Sequence, residues 1–128
     1  MPGKTPEETD RSVARAISQK DIDGLLDLFE PEALFVDPGS GAELRGHEQI
    51  REAVAGMFES NPTIEEAAPP KVWVSGDVAL VLSGWSMEAT GPDGERLRQA
   101  GTATDVMRRQ ADGTWRYVID NPAGIDYA

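Results

Sequence analysis

The sequence predicts an α+β fold: a cone-shaped, strongly curved antiparallel sheet whose concave face is covered by three helices from the N-terminal half. Two patterns predict it. Apolar residues recur at helical spacing in the first half of the chain, and they alternate at period two from about residue 64 to 121. The two longest alternating segments carry Gly84 and Gly101, where a long strand can bend or bulge. A bent sheet closed by helices encloses an apolar pocket.

Start and stop signals indicate the three helices. Thr5 is a candidate N-cap for the first helix, because its hydroxyl can accept from the free backbone amides of the first turn. Asp21 does the same for the second helix, which we expect to end at Pro31 since proline cannot continue a helix. The third helix follows Gly46 and ends before Pro62.

Strand signals complete the predicted fold. A short strand over residues 33–37 precedes the third helix, and turn residues at 75–77, 91–94 and 111–113 divide the period-two region into four further strands. Each of these turns is short, so consecutive strands must run in opposite directions. The second half is therefore predicted to be an antiparallel meander.

Composition and charge exclude several classes of protein. The chain has 128 residues, 39% of them hydrophobic, which predicts a single domain over residues 1–128. It has no cysteine, so it carries no disulfide, thiol nucleophile or cysteine-bound zinc. With no signal-like start and no apolar stretch of about 18 residues, we expect a cytoplasmic protein that spans no membrane. The net charge of −11 argues against binding nucleic acid or an anionic membrane surface.

Six short segments carry a resemblance to a known family. They are residues 21–29, 33–38, 45–51, 104–109, 112–116 and 119–122. In this order and spacing the chain, from about residue 13 to 124, resembles the nuclear transport factor 2-like superfamily, in the branch of ketosteroid isomerases and SnoaL-like polyketide cyclases. The resemblance implies the cone-shaped fold, an interior pocket for a small apolar or carbonyl-containing molecule, and no cofactor or metal ion. A fold of this kind hosts many functions, so the resemblance does not fix the reaction.

The resemblance points to two carboxyl groups as catalytic. Asp37 takes the position of the general base of ketosteroid isomerases, and Asp105 takes that of their protonated aspartic acid, which donates to the developing oxyanion. The residues support Asp105 independently, because it shares strand parity with an otherwise apolar row, Gly101, Ala103 and Met107. A carboxyl in such a row is desolvated, which raises its pKa and keeps it neutral.

Each of these carboxyls also has a structural interpretation. Asp37 can cap the turn that follows it, and Asp105 can be a buried aspartate paired with an arginine or a backbone amide. By correspondence with the family, Val118 and Asp120 face the cavity from the last strand. The alternative for Asp120 is that it caps the chain reversal at residues 121–122.

We expect further pocket-lining side chains on the helices and meander strands. They are Val13, Met57, Phe58, Leu80, Leu82 and Ser86. Val13 takes the position of the oxyanion-hole tyrosine of ketosteroid isomerases and cannot donate a hydrogen bond. Leu82 and Ser86 stand where those enzymes contact the steroid with aromatic side chains. A flat steroid is therefore not the expected ligand.

Three functions are compatible with these residues. The first is a cofactor-independent isomerase, cyclase or dehydratase that acts on a small carbonyl compound. The second is a non-catalytic ligand-binding module, and the third is a dimerisation domain whose cavity is filled by its own side chains. We expect a homodimer in each case, because helices cover only one face of the sheet and an apolar outer row, predicted to contain Val81, Trp85 and Met87, should not stay in water.

Overall fold

The computed structural model describes residues 1–66 and 68–124, which form three helices and a seven-stranded sheet. The helices are α1 (Pro6–Ser18), α2 (Ile22–Leu26) and α3 (Gly46–Glu59). The strands are β1 (Phe29–Val36), β2 (Glu43–Arg45), β3 (Thr63–Glu66), β4 (Lys71–Ser75), β5 (Val78–Thr90), β6 (Arg96–Arg109) and β7 (Trp115–Asp120). The predicted α+β class with a curved sheet is confirmed. None of the described helices has the length and apolar character that crossing a membrane requires.

The strand order is β2-β1-β7-β6-β5-β3, and β4 also pairs with β5. All pairs are antiparallel except that of β1 with β7, which is parallel and sets Phe35 opposite Asp120. The sequence predicted antiparallel pairing throughout. A short reverse turn enforces antiparallel pairing, and no such turn joins these two strands, so their direction is free to differ.

The second helix ends earlier than predicted. It stops at Leu26, and Pro31 lies inside β1 rather than at the helix end. Tertiary pairing overrides the helical spacing here, because the backbone carbonyl of Leu28 accepts a hydrogen bond from the Tyr117 amide at 2.8 Å. The β1/β7 register shifts between Phe29 and Leu34, which accommodates a proline that has no amide hydrogen to donate.

The first meander strand is also divided. The long strand β5 pairs with two short strands. Its residues 85–88 pair with β3, and its residues 78–82 pair with β4. The sequence predicted a single strand in this region. Strand β2 was not predicted at all, because three residues are too few to show an alternating pattern.

The core lies between the helices and the concave face of the sheet. Its buried apolar members include Ile17, Leu25, Leu28, Ile50, Val81 and Met107. Both predicted N-caps are confirmed: the Thr5 side chain accepts from the Glu8 amide at 3.2 Å, and that of Asp21 accepts from the Gly24 amide at 2.9 Å. The caps fix where α1 and α2 begin, and so which side of each helix faces the sheet.

Candidate functional site: a carboxyl-lined cavity

A cavity of about 370 Å³ lies between the helices and the concave face of the sheet. Its apolar walls include Val13, Ile17, Phe35, Val54, Met57 and Trp85. The indole nitrogen of Trp85 donates to the Pro122 carbonyl at 2.8 Å, which holds this ring in the wall. The volume falls within the usual range for small-molecule sites, which are mostly apolar with a few convergent polar groups.

Asp105 and Asp120 form a carboxyl pair at one end of the cavity. Asp105 is 2% exposed, and one of its oxygens accepts from the Asn121 amide at 2.9 Å. Burial, followed by the charge of Asp120 and a hydrogen bond with it, raises the pKa of Asp105 well above its usual value. Burial also raises the pKa of Asp120 to about 6, although its hydrogen bond with Asp105 opposes the rise. Two carboxyls that share a hydrogen bond hold one proton between them over a range of pH.

A β-bulge brings Asp120 into the cavity. Ile119 pairs with Val106 and Tyr117 pairs with Met107, so Val118 is an extra residue that has no partner on β6. The alternation of side chains therefore shifts by one within β7. Tyr117 lies in the cavity lining before the bulge and Asp120 after it, whereas Val118 does not. The correspondence with the family predicted both Val118 and Asp120 in the cavity; Asp120 lies in the lining, and the bulge takes Val118 out of it.

A second polar group lies around Asp10 of α1. The Tyr117 hydroxyl donates to Asp10 Oδ1 at 2.6 Å, and both side chains are buried. Burial raises the pKa of Asp10, while hydrogen bonds with Tyr117, Glu66 and Ser83 oppose the rise. Burial, and then the charges of the neighbouring carboxyls, raises the pKa of Tyr117 well above its usual value, so its hydroxyl keeps its proton and acts as a donor.

Glu66 completes this second group at the end of β3. Its pKa is raised by burial and by the charge of Asp10, to which it is hydrogen-bonded. The sequence reasoning missed Asp10, Glu66 and Tyr117. A signal existed for Asp10 alone, because it lies three residues before Val13 and seven before Ile17, on the apolar stripe of the first helix. Nothing in the alternating pattern distinguished Glu66 from an ordinary exposed glutamate.

Asp37 lies at the end of β1 and in the cavity lining. Its Oδ2 accepts from the Ser40 amide at 3.0 Å and from the Ser40 hydroxyl at 2.7 Å. Turn capping and a position in the cavity were alternatives for this residue in the sequence, and the structure combines them. Its role as a general base stays a prediction.

The face of β5 that lines the cavity is not the predicted one but the opposite face. Val81 is fully buried, and Trp85 and Met87 are in the lining, so these side chains do not form an outer row. The predicted lining residues on this strand are Leu80, Leu82 and Ser86, and they lie on the convex face. Leu80 is 45% exposed there. The strand is apolar on both faces, so alternation alone does not identify the buried one.

Of the remaining predicted residues, some lie in the cavity lining and one lies outside it. Val13 and Met57 line the cavity together with Asp37, Asp105 and Asp120. Phe58 lies outside the lining and is buried in the core. Whether any of these side chains contacts a ligand stays a prediction.

Comparison with known proteins identifies related families and structures. The family model of the SnoaL-like domain matches residues 10–118. The comparison with curated proteins found no match.

Three solved structures illustrate the similarity of fold. A nuclear transport factor 2 (NTF2-like) superfamily protein from Salmonella enterica serovar Typhimurium has a TM-score of 0.78 and 25% identity, covering 90% of this chain and 84% of that one. A ketosteroid isomerase-like protein from Erwinia carotovora atroseptica has a TM-score of 0.75 and 20% identity, with coverages of 89% and 88%. A candidate dehydratase of the NTF2-like family from Streptomyces avermitilis has a TM-score of 0.73 and 22% identity, covering 88% of each chain.

Proposed function

Because the chain belongs to the SnoaL-like domain family, we propose that it is a cofactor-independent acid–base enzyme acting on a small carbonyl compound, by isomerisation, cyclisation or dehydration. The observation that carries the proposal is the hydrogen-bonded pair of Asp105 and Asp120 inside a mainly apolar cavity. A carboxyl that stays protonated near neutral pH can donate to a carbonyl oxygen as negative charge develops there.

The proposed reaction begins with the substrate carbonyl beside Asp105. Asp37, which follows β1, removes a proton from the carbon next to the carbonyl. The electron pair moves into the carbonyl, and the resulting oxyanion accepts a hydrogen bond from Asp105. Return of the proton to a different carbon completes an isomerisation, whereas loss of a hydroxide protonated by the carboxyl pair completes a dehydration. Positioned acid–base groups of this kind typically contribute about 10²–10⁴-fold in rate.

A non-catalytic ligand-binding function is the second candidate, and one observation favours it. The Asp37 oxygen that faces Ser40 already accepts two hydrogen bonds. This oxygen is therefore engaged in the turn that follows β1. In a binding protein, Asp37 would only shape the rim of the cavity.

Deuterium exchange separates the two functions without knowledge of the substrate. The probe is cyclohexanone in D₂O, whose α-hydrogens are lost from the proton NMR spectrum as they exchange. We expect the protein to accelerate exchange and Asp105→Leu to reduce the acceleration about a hundredfold, because leucine is of similar size but has no hydrogen-bond donor for the oxyanion. Glu52→Gln is the control, since Glu52 is an exposed residue of α3. Equal exchange with the wild type and Asp105→Leu would contradict the catalytic proposal.

We also propose a homodimer formed through the convex face of the sheet. Neighbouring strands align one apolar row there, which consists of Trp73, Leu80, Val106, Ile119 and Leu34. Trp73 is 56% exposed and Leu80 is 45% exposed. Large apolar side chains in one contiguous exposed row are typical of an interface between proteins.

Leu80→Asp tests the dimer because it puts a charge in the middle of this row. We expect the wild type to sediment as a dimer and Leu80→Asp as a monomer. Glu88→Ala, on the same strand, is the control and should remain dimeric. A monomeric wild type would contradict this proposal.

A further inference from the structure

The cavity lining is acidic and contains no counter-charge. Its acidic members are Asp10, Asp37, Glu65, Glu66, Asp105 and Asp120. Among residues 1–66 and 68–124, no lysine, arginine or histidine lines the cavity. The rest of the chain, residues 67 and 125–128, includes no basic residue. An apolar cavity with this lining has a negative potential wherever its carboxyls are ionised.

The arginines lie outside the lining, and four of them pair with other carboxylates. The ion pairs of the described residues are Arg51–Asp23, Arg108–Glu30, Arg109–Asp77 and Arg116–Asp27. Arg11 is the cation that lowers the pKa of Asp10 and Glu66, but it is exposed and outside the lining. Within the lining, the neighbours of Asp10 and Asp105 include other carboxyls, Glu66 beside Asp10 and Asp120 beside Asp105.

We propose that the ligand of this cavity carries a protonated amine on an apolar body, and that the ammonium group binds between Asp10 and Glu66. This inference deepens the proposed function and rests on it only in taking the same cavity as the ligand site. The carbonyl end of the ligand lies at Asp105 and Asp120, and the amine lies at the rim, where β3 ends.

Three features of the site fit an organic ammonium group. An ammonium group carries several hydrogen-bond donors. These donors match Asp10 and Glu66, which become carboxylate acceptors when the proton that they share dissociates. The ring of Trp85, which pairs with Glu66 across β3 and β5, offers an aromatic wall on the same face. Among the residues that the structure describes, no group of three His, Cys, Asp or Glu side chains has the arrangement to hold a metal ion. The occupant that matches this site is thus an organic cation.

The same charges reject anionic ligands. A carboxylate or phosphate in the cavity would lie among ionisable acids with no cation to neutralise it, and like charges in a desolvated site repel strongly. Entry of an ammonium ion instead lowers the pKa values of the neighbouring carboxyls and releases part of a proton to the buffer.

Titration calorimetry at pH 7 tests the inference with three ligands of nearly equal size: benzylamine, benzyl alcohol and benzoate. We expect benzylamine to bind about tenfold or more tightly than benzyl alcohol, because it gains charge-assisted hydrogen bonds. Benzoate should not bind. Repeating the benzylamine titration in two buffers that differ in ionisation enthalpy should show release of a fraction of a proton. Equal affinities for benzylamine and benzyl alcohol, or tighter binding of benzoate, would overturn the inference.

Two variants locate the ammonium group. Glu66→Gln keeps a side chain that can donate to Asp10 but removes the second carboxylate, so benzylamine affinity should fall about tenfold while benzyl alcohol affinity stays unchanged. Glu59→Gln, an exposed residue of α3, is the matched control. An unchanged benzylamine affinity in both Glu66→Gln and Asp10→Asn would overturn the assigned position.

The binding results are independent of catalysis. If benzylamine is preferred but cyclohexanone exchange is not accelerated, the ligand class stands and the acid–base function fails. If exchange is accelerated but benzylamine has no preference, the acid–base function stands and the amine inference fails.

Discussion

Two carboxyl sites in the cavity contain the same side chain in opposite situations. In one, Asp105 and Asp120 are hydrogen-bonded to each other, and burial raises the pKa of both. In the other, Asp37 accepts from the amide and hydroxyl of Ser40 in the turn that follows β1. The partner of the first carboxyl is another acid, whereas the partners of the second are hydrogen-bond donors. This difference in partners is the basis for proposing Asp105 as the acid and Asp37 as the base.

The largest expected effect is at Asp37. In the cyclohexanone assay, Asp37→Asn should reduce exchange by about 10²–10⁴-fold, because it removes the proposed base while an asparagine oxygen can still accept from Ser40. Ser40→Ala is the matched control, since it removes one hydrogen bond to Asp37 and keeps the carboxylate. Exchange that survives in Asp37→Asn would disprove the base assignment and favour the ligand-binding function.

The next effect concerns the dependence of stability on pH at Asp120. Its pKa is about 6 when the protein is folded and 3.8 when the chain is unfolded, so the folded state binds more protons between these values. Its contribution to the free energy of unfolding is therefore fully present below pH 3.8 and is lost as the pH rises through about 6. Asp120→Asn should remove this loss and be more stable than the wild type at pH 7, by about 3 kcal/mol. Urea unfolding at pH 4 and pH 7 measures it.

Substitution of Asp112 should change the free energy of unfolding at pH 7 in the opposite direction. Hydrogen bonds from the Thr114 side chain and backbone lower its pKa, so its contribution to stability is present above the unfolded pKa and is lost as the pH falls. Asp112→Asn should therefore weaken the protein at pH 7 and not at low pH. If both variants changed stability in the same direction at pH 7, the assignment of protonation to Asp120 would be wrong.

A further expected effect on stability comes from the hydrogen bond between Tyr117 and Asp10. Tyr117→Phe removes the donor to Asp10 and should destabilise the fold by about 1–3 kcal/mol, because a buried carboxyl oxygen loses its partner. A double-mutant cycle with Asp10→Asn measures the coupling between the two side chains by urea unfolding. Strictly additive changes would show that this hydrogen bond contributes no coupling energy.

The local features of the fold were predictable from the sequence. Thr5 and Asp21 cap their helices by contacts within four residues, and the glycine turns after β4, β5 and β6 lie where the turn residues placed them. These signals depend on neighbouring residues alone. The buried position of Asp105 was also predictable, because its row on β6 is apolar apart from this carboxyl.

The features that were missed depend on contacts between distant segments. Pro31 lies in β1 because that strand pairs with β7. The bulge at Val118 shifts the inward face of β7 without leaving a mark in the alternation. Strand β5 has two apolar faces, and the choice between them is made by the partners of Val81 in the core. Each of these outcomes is decided by pairing and packing that a linear pattern does not contain.

The place of β7 in the sheet has a consequence for biosynthesis. Among the strands that the structure describes, β7 is translated after the others, yet it lies between β1 and β6 and supplies Tyr117 and Asp120. Until it leaves the ribosome, β1 and β6 present unpaired backbone edges to which other nascent chains can add. A stalled or prematurely terminated chain would thus lack a continuous sheet and would depend on chaperones to avoid aggregation.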